Sequence, residues 1–185
     1  MPGGFKYVGT DSQGDVSGKI KTFSVLAATT EVIASGDMVR IAGTANADGV
    51  ANVALAPANT ACTGVVSFID PDYTNEALSA AYHASGTLGT LKVNTDPMAL
   101  YEVDVANGPL AITDVGLNCP VVATEATVSG VLAPSVMKAN ATGKATTSTL
   151  PLRIVELKKD ADGVLGNVAI VRLNETTSQL GATGI

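Results

Sequence analysis

The 185-residue chain is 46% hydrophobic but only 4% aromatic, with no Trp, three Phe and four Tyr. Its core must therefore be assembled from small aliphatic side chains. Charged residues make up 15% and the net charge is −6, against about 25% charged in an average domain, so the surface is poor in charge and rich in Thr, Ser, Ala and Gly. That balance argues against nucleic-acid binding, which needs a basic stripe. No run approaches the ~20 apolar residues of a membrane-spanning helix, and the first residues do not read as a signal peptide.

Residues 1–17 are Gly-, Ser- and Asp-rich without periodicity and read as a loose N-terminal arm. Phe5 and Tyr7 stand out in it, because large aromatics in a Gly-rich lead-in imply a pocket to dock in. Residues 18–176 read as one β-domain. Residues 19–28 alternate as a strand, with Lys21, Phe23 and Val25 on one face. A turn at Ser35-Gly36-Asp37 precedes a short strand over 38–42. Asn46-Ala47-Asp48-Gly49 is a hairpin-type turn into a strand over 50–56, and a further strand runs over 62–70.

Residues 74–84 form the one helical window before residue 110, with Ala77, Leu78, Ala81 and Tyr82 at helical spacing; an ordered loop is the alternative. Two strands follow, split by Asp96-Pro97. In the second, Tyr101, Val103 and Val105 alternate with Leu100, Glu102 and Asp104. Residues 109–118 suggest a short helical turn, and 121–131 an interrupted strand. A Thr-rich tract over 140–149 then leads into the stiff run "LPLRIVEL". That run and "VLGNVAIVRL" flank an Asp-Gly turn at 160–163, the strongest hairpin signal in the chain. Residues 177–185 read as a polar tail. The sum is mainly β: a compact barrel or sandwich of short antiparallel strands, with one or two short helices and extended arms or loops.

Chemistry is sparse. His83 is the single histidine and reads as an exposed or loop residue without triad partners. Cys62 and Cys119 match no zinc or redox spacing and read as two free, buried thiols. "DADG" at 160–163 departs from a calcium loop and reads as a turn. The pairs Asp70/Asp72 and Glu102/Asp104 read as solvated edge carboxylates. No nucleophile–base pair, metal site or cofactor motif is expected, and the chain reads as a non-enzyme.

Small side chains bury little area each, at about 25 cal/mol per Å², so self-association or docking is expected to help. Taken in order, "SGKIKTFSV", "IASGDMVRIAG", "CTGVVSFIDPD", "LKVNTDPMALYEVDV", "DVGLN", "TSTLPLRIVEL" and "NVAIVRLNE" resemble the decoration, or cement, proteins of tailed-bacteriophage heads. The resemblance spans about residues 18–176. It implies a structural virion protein, assembled in the host cytoplasm, that binds the capsid exterior. There it would bridge capsomers of the major capsid protein as a homo-oligomer, dimer or trimer. The expected contact residues are Phe5 and Tyr7 in the arm, and Thr142, Thr146, Thr147 and Thr149 in a loop reaching along a neighbour. A tail-tube subunit is the alternative reading, and a carbohydrate-binding or adhesin module a further one.

Overall fold

The computed structural model describes residues 3–10, 19–70, 82–129 and 132–174. It is mainly β, as expected. Five strands close a barrel in the order β2 (Ile20–Val25), β5 (Ala51–Leu55), β4 (Met38–Ala45), β6 (Gly64–Ile69) and β8 (Gly89–Asn94). A seven-stranded sheet runs β10 (Asn118–Cys119), β13 (Leu152–Lys159), β14 (Leu165–Leu173), β9 (Ala99–Ala106), β12 (Lys138–Asn140) and β11 (Val121–Val122), with β1 (Lys6–Thr10) also on β9. A short ribbon joins β3 (Ile33–Ala34) to β7 (Tyr82–His83).

Alternation builds most of these strands. Along β9, Ala99, Tyr101 and Val103 are buried while Leu100, Glu102 and Asp104 are half-buried, as period 2 requires. Strand β6 breaks the rule: Val66 and Ile69 are buried, Ser67 and Phe68 exposed. A register shift between Val66 and Phe68 accounts for it, since an extra residue resets which face follows. Strand β14 lies between β13 and β9, and Val168–Val171 are all buried. An unbroken apolar run is what a strand covered on both faces needs. Barrel residues Phe23, Val39 and Leu91 and sheet residues Tyr101, Ile154 and Leu173 belong to one buried cluster.

The two hairpin turns read from the sequence are built alike. In Asn46–Val50, Gly49 N–H donates to the Asn46 carbonyl (3.1 Å), and Asp48 and Val50 N–H donate to Asn46 Oδ1 (3.0 and 2.9 Å). In Asp160–Val164, Gly163 N–H donates to the Asp160 carbonyl (3.1 Å), and Asp162 and Val164 N–H to Asp160 Oδ1 (3.0 and 2.8 Å). The shared pattern Asn/Asp-Ala-Asp-Gly-Val places an Asx side chain where it closes the turn on its own backbone.

Several expectations are corrected. Residues 6–10 of the supposed loose arm are strand β1. Tyr82 and His83 close the helical window as strand β7; residues 71–81 lie outside the described residues. His83 is 5% exposed, so it is buried rather than exposed. Of the expected helices, the described residues hold one three-residue 3-10 turn, Ile112–Asp114. Two strand pairs, β2 with β5 and β12 with β9, are parallel.

Gly64 lets β6 pass close to β8: a Cβ there would fall on the Asn94 carbonyl oxygen and lie 2.8 Å from Val93 Cγ1. Gly9 in β1 has open space at the same position. Gly64→Ala should lose about 1–3 kcal/mol in urea unfolding, as overpacking does, while Gly9→Ala should stay within about 0.5 kcal/mol of wild type.

Candidate functional site

Among the described residues, an open groove of about 760 Å³ lies where β1, the barrel and residues 132–135 meet. Among the described residues its lining is mostly apolar, from Phe5, Tyr7, Ile20, Val65, Tyr101 and Leu132, with Lys6 the one charged residue. Alternation on β9 puts Tyr101 on the buried face, where Phe5 and Tyr7 meet its ring edge-on. The centroids are 6.2 and 6.1 Å away, with planes at 87° and 71°, the arrangement ring quadrupoles favour.

One side of the groove is held by the turn Ala34–Asp37. Asp37 N–H donates to the Ala34 carbonyl (3.1 Å) and Ala34 N–H returns to Asp37 Oδ2 (2.7 Å). Gly36, at φ +90°, takes the position in this turn that favours glycine, and its carbonyl accepts from Phe5 N–H at 2.9 Å. Gly4 packs so closely on Ser135 that a Cβ would overlap that side chain. The glycines of the lead-in thus allow close backbone contact, a signal that composition alone reads as looseness.

Asp37 is fully buried, and its Oδ1 has no hydrogen-bond partner among the described residues. Burial pushes its pKa up to about 6, against opposing hydrogen bonds from Ser135 and the Ala34 N–H; Glu125 adds a smaller upward push. Asp96 behaves oppositely. Burial disfavours its charge, but the Met98 N–H, the Lys19 ammonium (3.0 Å) and the Thr10 hydroxyl (3.0 Å) outweigh it and hold the carboxyl below its usual range.

The expected contact residues fall into two groups. Phe5 is 4% exposed and docks in the chain's own core, so the pocket implied by that aromatic is internal. Tyr7 is 39% exposed at the groove. Thr142, Thr146, Thr147 and Thr149 are all exposed on a different part of the chain, the loop between β12 and β13. This loop folds back onto its own sheet instead of extending. Ala145 and Asn118 exchange backbone hydrogen bonds at 2.9 Å, and Asn118 Nδ2 donates to the Thr147 carbonyl at 2.9 Å. Asn174 Nδ2 donates to the Ser148 and Leu150 carbonyls at 3.2 and 3.0 Å.

Asn118 and Asn174 are buried, and the sequence reading missed their pinning role. Their signal was an amide set directly after a leucine that belongs to the core-facing runs. Lys144, in the same loop, pairs with Asp114 at 2.7 Å. Burial opposes the charge on Asp114, but Lys144 and the Ala111 N–H outweigh it and lower its pKa.

Other candidates resolve simply. Cys62 and Cys119 are buried thiols with no disulfide between them, as expected, and burial pushes the Cys119 thiol up to about 12. Glu102 sits on a central strand and bonds Lys158 at 2.8 Å, so it is no edge carboxylate. Asp70 accepts from Thr90 at 2.6 Å; Asp72 lies outside the described residues. Among the described residues, no group of three His, Cys, Asp or Glu could hold a metal ion. No protein-family model, no curated protein and no solved structure matches the chain.

The raised pKa of Asp37 fixes a sign. A carboxyl that binds its proton more tightly when folded contributes stability that is complete below about pH 4 and lost as pH rises through about 6. The shift corresponds to about 3 kcal/mol. The unfolding free energy of wild type minus that of Asp37→Asn should therefore fall by about that amount between pH 4 and 7 in urea titrations. A difference that does not vary with pH would contradict the assignment.

Proposed function

We propose that the chain is a structural protein of a tailed-bacteriophage head, which docks on the capsid exterior and bridges capsomers of the major capsid protein as a dimer or trimer. The observation that carries this reading is the threonine loop. Its backbone is pinned from behind by Asn118 and Asn174, while the side chains of Thr142, Thr146, Thr147 and Thr149 face outward. Its one cation, Lys144, is matched by Asp114. The result is a preordered, nearly neutral face of hydroxyls, two of which, on Thr147 and Thr149, also bond each other at 3.1 Å.

A face of this kind suits broad contact with another protein. It presents little charge to desolvate, and its backbone needs little further ordering on binding. Many copies, each burying an interface on the order of 1,600 Å², would reinforce a shell beyond the strength of any single contact. The ordered segments quoted above, from "SGKIKTFSV" to "NVAIVRLNE", supply the family likeness behind the choice of partner.

The test is direct. Purified chain added to undecorated phage heads should raise the temperature at which they burst and appear as density on the shell exterior. Replacing Thr142, Thr146, Thr147 and Thr149 together with Glu should weaken head binding at least tenfold, with unchanged circular dichroism. Wild-type chain that leaves the bursting temperature unchanged would end this reading. Stacked rings in negative stain would favour the tail-tube alternative.

A further inference from the structure

We propose that the groove between β1 and the barrel binds an extended peptide segment as an added strand on β1. The segment would carry apolar side chains at alternate positions and a carboxylate near one end. This deepens the docking role proposed above by naming the kind of partner segment, and it uses a surface separate from the threonine loop.

Three observations converge on an extended segment. Among the described residues β1 pairs with β9 and no other strand, so its second edge presents backbone N–H and C=O groups that another strand could satisfy. Lys6 and Tyr7 of β1 line the groove, and five residues of strand offer about 17 Å of edge. The surroundings are apolar and accessible: Tyr7 is 39% exposed on β1, while Ile20 is 42% and Leu132 60% exposed on the groove's other sides. An alternating strand would place one set of side chains against these residues.

Charge selects among occupants. Among the described residues Lys6 is the only charged one lining the groove, and it forms no ion pair with them. The chain as a whole carries −6, but at physiological salt charges more than about 8 Å away are largely screened; Glu102, opposite Lys6 on β9, is already bonded by Lys158 at 2.8 Å, which leaves Lys6 as the local cation. A second copy pairing through its own β1 is disfavoured, because Lys-Tyr-Val-Gly-Thr offers no acid to meet Lys6. A small amphiphilic acid could use Lys6 and the apolar walls but would leave the strand edge unpaired.

The probe is the peptide acetyl-Asp-Val-Thr-Val-Thr-Val-amide, titrated into isotope-labelled full-length chain and followed by amide chemical shifts. Saturable shifts are expected at residues 6–9, 132, 133 and 135. The same peptide with both threonines replaced by proline, which removes two backbone donors, should bind at least tenfold more weakly. Lys6→Glu should reverse the preference, favouring a probe that begins with Lys over one that begins with Asp. Leu132→Asp, at an exposed position, should weaken binding severalfold without loss of fold.

No saturable shifts, equal binding of the proline probe, or a Lys6→Glu variant that keeps the acidic preference would each overturn the proposal. So would laurate binding in the groove while the peptide does not, or a dimer in sedimentation that buries residues 6–9 and excludes the peptide. Peptide binding that persists while undecorated heads are ignored would separate this inference from the capsid reading.

Discussion

The fold depends on the way β9 divides one of its edges. Its first edge pairs with β14 from Leu100 to Asp104. Its second is shared: β1 runs antiparallel along Ala99–Glu102, and β12 runs parallel at Val105 and Ala106. That division brings the N-terminal segment and the chain near residue 139 onto one strand, and it fixes Tyr101 between Phe5 and Tyr7. The Tyr101 ring is 1% exposed, and its hydroxyl has no hydrogen-bond partner among the described residues. An unsatisfied buried hydroxyl costs about 1–3 kcal/mol. Burying a ring of about 150–250 Å² at about 25 cal/mol per Å² offsets that with roughly 4–6 kcal/mol. Burial also keeps the phenol protonated by raising its pKa. In a chain with so few aromatics, this three-ring cluster is a large part of what joins β1 to the sheet.

Features decided by near neighbours in sequence were the legible ones. The β13–β14 hairpin and the Asn46–Gly49 turn could be read because an Asx side chain and a glycine, two to four residues apart, close them without distant help. The alternation of β9 was legible because one face is covered and the other is only half-covered. The β1 strand was not, because Gly3 and Gly4 look like a flexible lead-in until Ser135, more than 130 positions away, is known to lie against them. Tyr82 shares the helical spacing of the Ala-rich window and His83 falls within it, yet they pair with Ala34 and Ile33. A two-residue strand has no periodicity to read, and tertiary pairing overrides the weak preference of alanine for helix.

The candidate sites show the same boundary. Composition indicated that the threonines would face outward, and they do. It could not indicate that the loop folds back, because the bonds that hold it come from Asn118 and Asn174, far from the loop or just beyond the next strand. Each supplies side-chain amide donors to loop carbonyls, and removing such a donor would strand buried acceptors at a cost of about 1–3 kcal/mol each. The groove was hidden for a related reason. Its parts, Phe5, Ile20, Tyr101 and Leu132, lie on four separate segments that only the closed barrel and the shared edge of β9 bring together.

Pinning the threonine loop has an energetic consequence for contact. Ordering a residue's backbone on binding costs about 1–2 kcal/mol, so a free loop of this length would forfeit most of what a neutral hydroxyl face could gain. Here folding has already ordered it, with Asn118, Asn174 and the Lys144–Asp114 pair as the restraints. Threonine then contributes its hydroxyl with a stiff χ1, so little side-chain freedom remains to be lost. The same reasoning applies at the groove, where Phe5 N–H holds the Gly36 carbonyl and the Tyr101 ring holds Tyr7 before any partner arrives. A chain of small side chains and few charges has few strong individual contacts to offer. Preordering its surfaces is the physical means by which individually weak contacts could still add to a useful free energy.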